Sequence, residues 1–585
     1  VNINDIFKYQ TIGALAAHIT EKHGTLLAKL ESLKTKVPAT ASKMNAYLVS
    51  KEFKEFEAQY AEKNKKYNDI DVEARTAYKS ILLTGSTGYL GIYLLHDLLK
   101  AFKCNIYVPV RGKTPEESFK RLNDKYGYYF GSELKGAQLE RVKILCADLE
   151  KERLGLDEKT YAELCETVDC IINPAANVKH YGRYEEFYGP NVLAVENLIK
   201  FAATGKKKDI NQVSTMSVLA GKIAGMDNAA FSEDCCDIGQ TSDNLYIKTK
   251  LLAEKAIIDA REKYGLKTNI FRAGNISYNS KTGALQQNVE ENAFSVMIKS
   301  FVNLGVVPET EDEAELSFVD ASSASILALF DRTNLHNQTY HIQSSFAVKL
   351  SQVLLSPDLG LNMEKLPFDK FIDRLNAEYV KECRKPHVEN ILLHRGWLEN
   401  EADYTAVAPL CERTYSLLKR VNFEWPKVDE NKMVALISMA LRERIDFIKD
   451  MELFRDVAAN AQREIAFMAK EVVFDEGADI IWEGDSIKNV YLVMSGNGEV
   501  QKSSKAGWLG TIMLAGKGDF IGLEAILKTP SNVTVEAIMS DMRVLAVDGE
   551  KLRQKLLTVP ELCFNILKAE RYYAEKLEGV ITNID

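Results

Sequence analysis

Residues 81–91 read ILLTGSTGYLG. Three apolar residues run into Thr84, and Gly85, Gly88 and Gly91 then fall three apart. A short apolar run ended by glycine predicts a buried strand, and the apolar spacing that follows predicts a helix. Gly85 suits the tight turn between them. Gly88 lets backbone approach a pyrophosphate, and Gly91 lets the helix pack on the sheet. The phosphates would then meet a helix N-terminus, where unpaired N–H groups and the helix dipole favour an anion. A plain glycine-rich turn has the same composition. The position after a strand and before a helix is what favours a nucleotide.

Outward from this turn, short apolar runs recur: NIYVPVRG, RVKILCADL, VDCIINPAA, INQVSTMSV and LKTNIFRAGNI. Helical stretches separate them. This alternation predicts an α/β fold, a Rossmann-type doubly wound parallel sheet covered on both faces, over residues 76–275. Residues 276–450 are mostly helical by pattern and are expected to form a substrate lobe. Residues 451–585 change character. The stretch KEVVFDEGADIIWEGDSIKNVYLVMSGNGEVQ predicts short strands punctuated by glycine, hence an antiparallel β-roll or barrel, which a terminal helix closes. At the other end, residues 1–24 predict two short helices, with Ile12, Leu15, Ala16 and Ile19 on one face. Twenty-four residues are too few for a core of their own. Residues 25–75 are rich in Lys, Glu and Ala and predict a helical linker.

A chain of 585 residues divides into several domains. Its formal charge of −9 argues against nucleic acid as a main partner. No apolar run approaches the roughly 18 residues of a membrane span. The start, VNINDIFKYQ, has no basic-then-apolar targeting pattern and no initiator Met, and is expected to be cut from something longer. Nine cysteines fit neither a metal site nor a disulfide frame, and Cys235 and Cys236 are adjacent, so a reducing cytoplasm is expected and no metal.

Candidate site residues follow from position. The second strand ends at Arg111, where an acid would bind a ribose 2′-hydroxyl. A cation there suits a 2′-phosphate, so the expected cofactor is NADP. Arg121 in the next helix would add a second charge. Asp148, after KILCA, can meet an adenine or cap its strand end. In DNLYIKTKLLAEKAI, Tyr246 and Lys250 stand one helical turn apart. A nearby ammonium and the nicotinamide ribose would lower the phenol's pKa and let it exchange a proton with a carbonyl oxygen. Thr215, in VSTMSV at a strand end, offers a hydroxyl to the same oxygen.

Gly85, Gly88, Gly91, Thr215, Tyr246 and Lys250, in this order, resemble an extended short-chain dehydrogenase/reductase. More narrowly, residues 76–450 resemble the thioester reductase domain that ends some nonribosomal peptide synthetases. The stretches LLTGSTGYLG, VPVRG, ADL, NPAANV, VSTMSV, YIKTKLLAE, FRAGNIS and TYSLLKRVNFEWPKVDENKM carry the likeness. The resemblance implies that Gly85, Thr87, Gly88, Leu90 and Gly91 form the pyrophosphate loop. It makes Arg111 and Arg121 a 2′-phosphate clamp, with Asp148 and Leu149 at the adenine edge. Ala175 would line the cofactor, and Asn275 would lie near the nicotinamide. Thr215, Tyr246 and Lys250 would be the catalytic triad. In AANVKHYG, Lys179 and His180 depart from the shorter polar stretch the resemblance leads one to expect.

The same resemblance makes residues 1–24 the end of a peptidyl carrier domain. The Ser that holds phosphopantetheine would precede residue 1. The implied activity is NADPH-dependent reduction of a carrier-bound thioester to an aldehyde, with a second round to the alcohol. Alternatives are a carboxylic acid or aminoadipate-type reductase with the same catalytic lobe, and a non-catalytic interaction module. Residues 452–550 resemble a cyclic-nucleotide-binding domain, with GDFIGLEAIL at its phosphate cassette. That cassette uses an Arg and a Glu. Here Leu523 follows Gly522, Glu524 is displaced by one, and no Arg occurs from 523 to 542. Lys528 is the nearby cation. Tight binding of cyclic AMP is therefore not expected, and a structural or partner-binding role is.

Overall fold

The structure is a computed structural model. It describes residues 27–35, 42–178, 182–287, 293–309, 313–381, 384–394, 405–503 and 509–581, with Thr11 and Gly13. The carrier-domain fragment expected at 1–24, with its helix face of Ile12, Leu15, Ala16 and Ile19, lies outside the described residues. So do Lys179 and His180.

Seven strands form one parallel sheet: β1 (Ser80–Leu83), β2 (Asn105–Val110), β3 (Val142–Cys146), β4 (Cys170–Asn173), β5 (Asp209–Thr215), β6 (Thr268–Ala273) and β7 (Thr339–Ile342). Their order is β7-β6-β5-β4-β1-β2-β3. Side chains alternate across the sheet. Ile81 and Leu83 of β1 enter one apolar cluster with Ile106 and Val108. Leu82 enters another with Ile171, Ile210 and Ile270. Both faces are buried, which is why these strands read as continuous apolar runs. The order reverses between β4 and β1, and the C-terminal ends of those strands open a crevice there.

The sheet takes its edge strand β7 from residues 339–342, beyond the boundary expected at 275. The 276–450 segment is otherwise mainly helical, as expected, with short strand pairs such as 306–308 with 364–366. The expected linker is helical too. Its main helix, α1 (Lys51–Asn64), is capped by the Ser50 side chain, which accepts from the Phe53 N–H. It does not run free. Phe53, Tyr60 and Tyr67 are buried, and the Tyr60 hydroxyl donates to Glu233 at 2.6 Å while accepting from the Arg413 N–H at 2.9 Å.

Further helices used below are α2 (Tyr89–Ala101), α3 (Pro115–Phe130), α4 (Leu245–Tyr264), α5 (Ala293–Leu304), α6 (Lys385–His394) and α7 (Arg442–Asp450). The C-terminal domain is an antiparallel roll of β8 (Lys470–Phe474), β9 (Asp479–Ile481), β10 (Asn489–Ser503), β11 (Leu509–Ala515), β12 (Phe520–Ile521) and β13 (Thr534–Asp548). A short helix α8 (Glu524–Leu527) and the terminal helix α9 (Pro560–Ile581) pack on it.

A buried polar junction joins the roll to the lobe. Arg444 of α7 is fully buried. It donates to the Ala469 carbonyl at 2.8 Å and to the Asn303 side chain on α5. The Asn303 amide in turn reaches Glu471 of β8 at 3.3 Å. Arg543 of β13 bridges Glu471 at 2.5 Å and Glu443 of α7 at 2.8 Å. Arg384 donates to the carbonyls of Asn303 and Glu471 at 2.7 and 2.8 Å. Burial alone would raise the Glu471 carboxyl. The Arg543 hydrogen bond and the Arg543, Arg444 and Lys299 charges outweigh it and hold the value at about 2.

A carboxyl lowered on folding stabilises fully above its unfolded value of about 4.3, and that contribution is lost as pH falls toward the folded value. Removing one member of a buried charge network typically costs about 3–5 kcal/mol. Glu471→Gln is therefore expected to lower the unfolding free energy by that amount at pH 7 and to flatten the acid limb below about pH 4.3. Urea unfolding at several pH values measures both. A loss under about 1 kcal/mol, the range of exposed pairs, would mean that the junction is solvated.

Candidate active site

The turn after β1 is sterically closed. The Thr84 N–H donates to the Ile172 carbonyl at 3.1 Å, which carries the β1–β4 ladder one residue further. Gly85 then takes φ +56°, and a Cβ there would stand 2.8 Å from the Ala175 backbone. The Gly88 N–H closes the turn on the Gly85 carbonyl at 2.8 Å. Gly88 is the N-cap of α2, with no side-chain cap, so the first N–H groups of α2 stay open for an anion. A Cβ on Gly91 would fall 2.0 Å from the Gly85 oxygen. Each glycine except Gly88 is thus demanded by backbone contact. Gly88 and part of Thr87 are exposed, whereas the Leu90 side chain is in the core and offers only its backbone. Ser86 is buried with no hydrogen-bond partner for its hydroxyl. A backbone cradle, an uncapped helix start and an unpaired hydroxyl together fit a dinucleotide's pyrophosphate.

Arg111 and Arg121 flank the end of β2, both exposed. The Arg111 guanidinium stands 3.8 Å from Glu150. Arg121, on α3, donates to the Arg111 carbonyl at 3.2 Å. Asp148 accepts from the Glu150 N–H at 3.2 Å, so it caps its own strand end. Leu149 packs partly into the core, and its carbonyl accepts from Asn197 at 3.0 Å.

Thr215 ends β5 and is nearly buried. Its hydroxyl accepts from the Ser217 N–H at 3.1 Å, and it acts on the Tyr246 phenol by pulling that group's pKa down. Asn244 caps α4 through the Tyr246 and Ile247 N–H groups, which fixes the helix start at the β5 end. Lys250, one turn on, is buried and donates to the Val213 carbonyl at 2.7 Å. Thr215, Tyr246 and Lys250 therefore converge on the last residues of β5.

The electrostatics of the protein alone differ from the expectation in the part assigned to the ammonium. The phenol's pKa is raised by burial, with Thr215 pulling the other way, and the Lys250 charge does not lower it. Tyr246 is accordingly a neutral proton donor at pH 7 rather than an activated phenolate. Burial instead lowers Lys250 from 10.5 to about 8, against the pull of Glu254.

Several supports were not singled out from the sequence. Asn191, in a π-helical turn at 189–193, accepts from the Asn177 N–H at 2.7 Å and donates to Thr249 of α4 at 3.0 Å. It ties the loop of Ala175 to the catalytic helix. Glu254, also on α4, forms a fully buried ion pair with Arg272 of β6 at 2.7 Å. Asn275 is exposed, and its backbone N–H is held by Glu315 at 2.8 Å. Glu315 also accepts from the Ser344 N–H at 2.8 Å. Such partners lie far along the chain, beyond any local pattern. Asn191 is the exception, since a buried Asn after Gly-Pro is a legible oddity. No cluster of metal-binding side chains occurs among the described residues.

A doubly wound sheet with a glycine turn at its switch point, and a Thr-Tyr-Lys set at the end of β5 and on the helix beside it, is the arrangement of a nicotinamide-dinucleotide reductase domain and resembles the extended short-chain dehydrogenase/reductases. Residues 83–326 match the NAD-binding family described as male sterility protein, and residues 471–558 match the cyclic nucleotide-binding domain family. A component of the linear gramicidin synthase of Brevibacillus parabrevis is 27% identical over 367 residues, 62% of this chain and 7% of that protein. The L-2-aminoadipate reductase of Eremothecium gossypii is, in its large subunit, 26% identical over 65% of this chain and 28% of its own length. The chain thus spans under a third of these relatives. The terminal R domain of the myxalamid PKS-NRPS pathway aligns with a TM-score of 0.55 and 26% identity, covering 64% of this chain and 95% of that one. A thiolation-reductase di-domain of an archaeal nonribosomal peptide synthetase aligns with a TM-score of 0.53 and 26% identity, covering 64% and 92%.

Gly91→Ala must displace the Gly85 carbonyl and is expected to weaken dinucleotide binding at least about tenfold, whereas Gly88→Ala, 3.0 Å from the same oxygen, should cost much less. Fluorescence titration with the dinucleotide compares them, and equal affinities would contradict the cradle. A lysine lowered on folding makes the unfolded chain bind more protons between about pH 8 and 10.5. Its contribution to stability therefore rises with pH across that window. Lys250→Met should remove this rise relative to the parent chain, as read from unfolding free energies at pH 8 and 10.

Proposed function

We propose that residues 76–450 reduce a thioester carried on phosphopantetheine and release it as an aldehyde, with NADPH as reductant. The observation that carries this reading is the convergence of Thr215, Tyr246 and Lys250 at the β5 end, in the same sheet as the Gly85–Gly91 turn. In this reading Gly85, Thr87, Gly88, Leu90 and Gly91 hold the pyrophosphate through backbone. Arg111 and Arg121 take the 2′-phosphate, Asp148 and Leu149 border the adenine, and Ala175 and Asn275 border the nicotinamide end. The bound dinucleotide supplies the hydride.

Tyr246, neutral at pH 7, donates its proton to the oxygen of the attacked carbonyl, and Thr215 hydrogen-bonds the same oxygen. Lys250, its ammonium poised near neutrality by burial, holds the ribose side of the site and keeps α4 seated on β5 through Val213. Expulsion of the thiol leaves the aldehyde. A second hydride and proton convert it to the alcohol.

The R-domain and di-domain likenesses support a carrier as the delivering partner, with residues 1–24 as the end of such a domain, 25–75 as its connection, and the carrying Ser outside this chain. Residues 276–450 are read as the substrate lobe and 451–585 as a roll with no cyclic nucleotide. The eight described cysteines are unpaired, which fits a cytoplasmic protein. No described helix is long and apolar enough to cross a membrane. The aminoadipate reductase likeness supports a carrier-linked acid reductase as the second reading. Both predict the same chemistry and differ in the acyl group.

NADPH should be preferred over NADH, because a guanidinium pairs with a phosphate and gains little from a bare hydroxyl. Arg111→Ala should erode that preference through cofactor KM. Equal use of both cofactors by the parent chain would remove the 2′-phosphate assignment. With saturating acyl-pantetheine thioester, Tyr246→Phe should turn over on the order of a hundredfold more slowly while keeping cofactor affinity. Absorbance at the reduced-nicotinamide band and product analysis read both. Unchanged turnover would mean that another group protonates the carbonyl.

A further inference from the structure

The C-terminal roll holds a cavity of about 110 Å³ between β10, β12, α8 and α9. Its wall mixes the apolar side chains of Val500, Met513, Phe520 and Val533 with polar groups that include Asn532, and it opens to the surface. Its charged lining residues are Glu524 of α8 and Glu570 of α9. No Lys, Arg or His lines it among the described residues. Nearby cations of the roll are engaged elsewhere. Lys528 pairs with Glu550 at 2.8 Å, Lys502 with Glu483 at 2.6 Å, and Arg543 with Glu471 at 2.5 Å in the junction. Glu570 is exposed as a residue, yet its carboxyl is raised by partial desolvation and by the charge of Glu524, so the two acids feel each other.

Two like charges at an apolar wall repel an anion and favour a cation placed between them. A phosphate here would meet two carboxylates, apolar side chains and the neutral Asn532, with no charged donor. An ammonium group meets two acceptors, and a ring or short chain behind it meets the apolar wall. At about 110 Å³ the cavity is smaller than the roughly 150 Å³ that takes benzene, so a single ring would seat only in part, with the rest of the molecule in the open mouth.

We infer that this cavity binds a small organic cation, an amine on an aromatic or aliphatic body, in place of a cyclic nucleotide. The test uses the full chain and three molecules of one shape: phenethylamine, 2-phenylethanol and phenylacetate. Ligand-observed NMR titration gives the three affinities, with cyclic AMP as a fourth probe. Phenethylamine is expected to bind at least about tenfold more tightly than the alcohol, the acid and cyclic AMP. Glu570→Gln, on an exposed helix position, and Glu524→Gln should each reduce that advantage, and the double variant should bring amine and alcohol within about twofold. Equal binding of amine and alcohol, tighter binding of phenylacetate or cyclic AMP, no binding of the amine, or an advantage that survives the double variant would each overturn the assignment.

Discussion

The contact on which the site depends is backbone against backbone. Gly85, at φ +56°, lies so close to Ala175 that a Cβ would stand 2.8 Å from its Cα and N, and Gly91 closes on the Gly85 oxygen from the other side. This stack locks the C-terminal ends of β1 and β4 together at the point where strand order reverses. The Ala175 loop is in turn stapled to α4 by Asn177, Asn191 and Thr249. The phosphate turn and the catalytic helix therefore form one connected unit, and neither can shift without straining the other.

Charge is used beneath that unit to fix orientation. The Glu254–Arg272 pair is fully buried, and Arg272 also donates to the Cys235 carbonyl at 2.7 Å and lies over the Phe231 ring. A buried pair of this kind contributes little net stability, because desolvation offsets attraction. It does fix one face of α4 against β6, and its carboxylate keeps Lys250 from losing more of its basicity. Lys250 itself donates to β5. The helix that presents Tyr246 is thus tied to two adjacent strands by charged side chains that leave its exposed face free.

The parallel sheet was legible because its strands are buried on both faces, so each reads as an apolar run. The glycine turn was legible because the positive φ of Gly85 and the closure of Gly91 on the Gly85 oxygen are local to it, although the Ala175 contact is not. The Thr-Tyr-Lys set could be placed because α4 keeps Tyr246 and Lys250 one turn apart. The sequence misled where a property depends on partners far along the chain. Strand β7 comes from within a stretch that reads as helical, since four residues cannot outweigh the helices around them. The direction of the Tyr246 shift could not be read, because Lys250 turns to Val213 rather than to the phenol. Asp148 could be read as an adenine contact or a cap, and its bond to the Glu150 N–H shows that it caps its strand end whichever ligand it also meets. Lys528 was a nearby cation by position, yet it faces Glu550.

The roll is divided in the same physical sense. Residues 542–546 of β13 pair with β8 and, with 489–495 of β10, form the half that carries Arg543 and the junction. Residues 534–538 pair with 497–501 and with β9, next to the cavity. Between them the register breaks twice, opposite Ser495 and Asn497. Met539 takes φ +66° there, and Gly496 takes φ +81° at a spot where a Cβ would stand 2.5 Å from the Asp541 oxygen. Bulges bend a strand and interrupt its ladder. The attached half answers to the lobe through buried charge, and it also reaches the cavity, since Phe520 and Ile521 of its lining pair with residues 491–492 of β10.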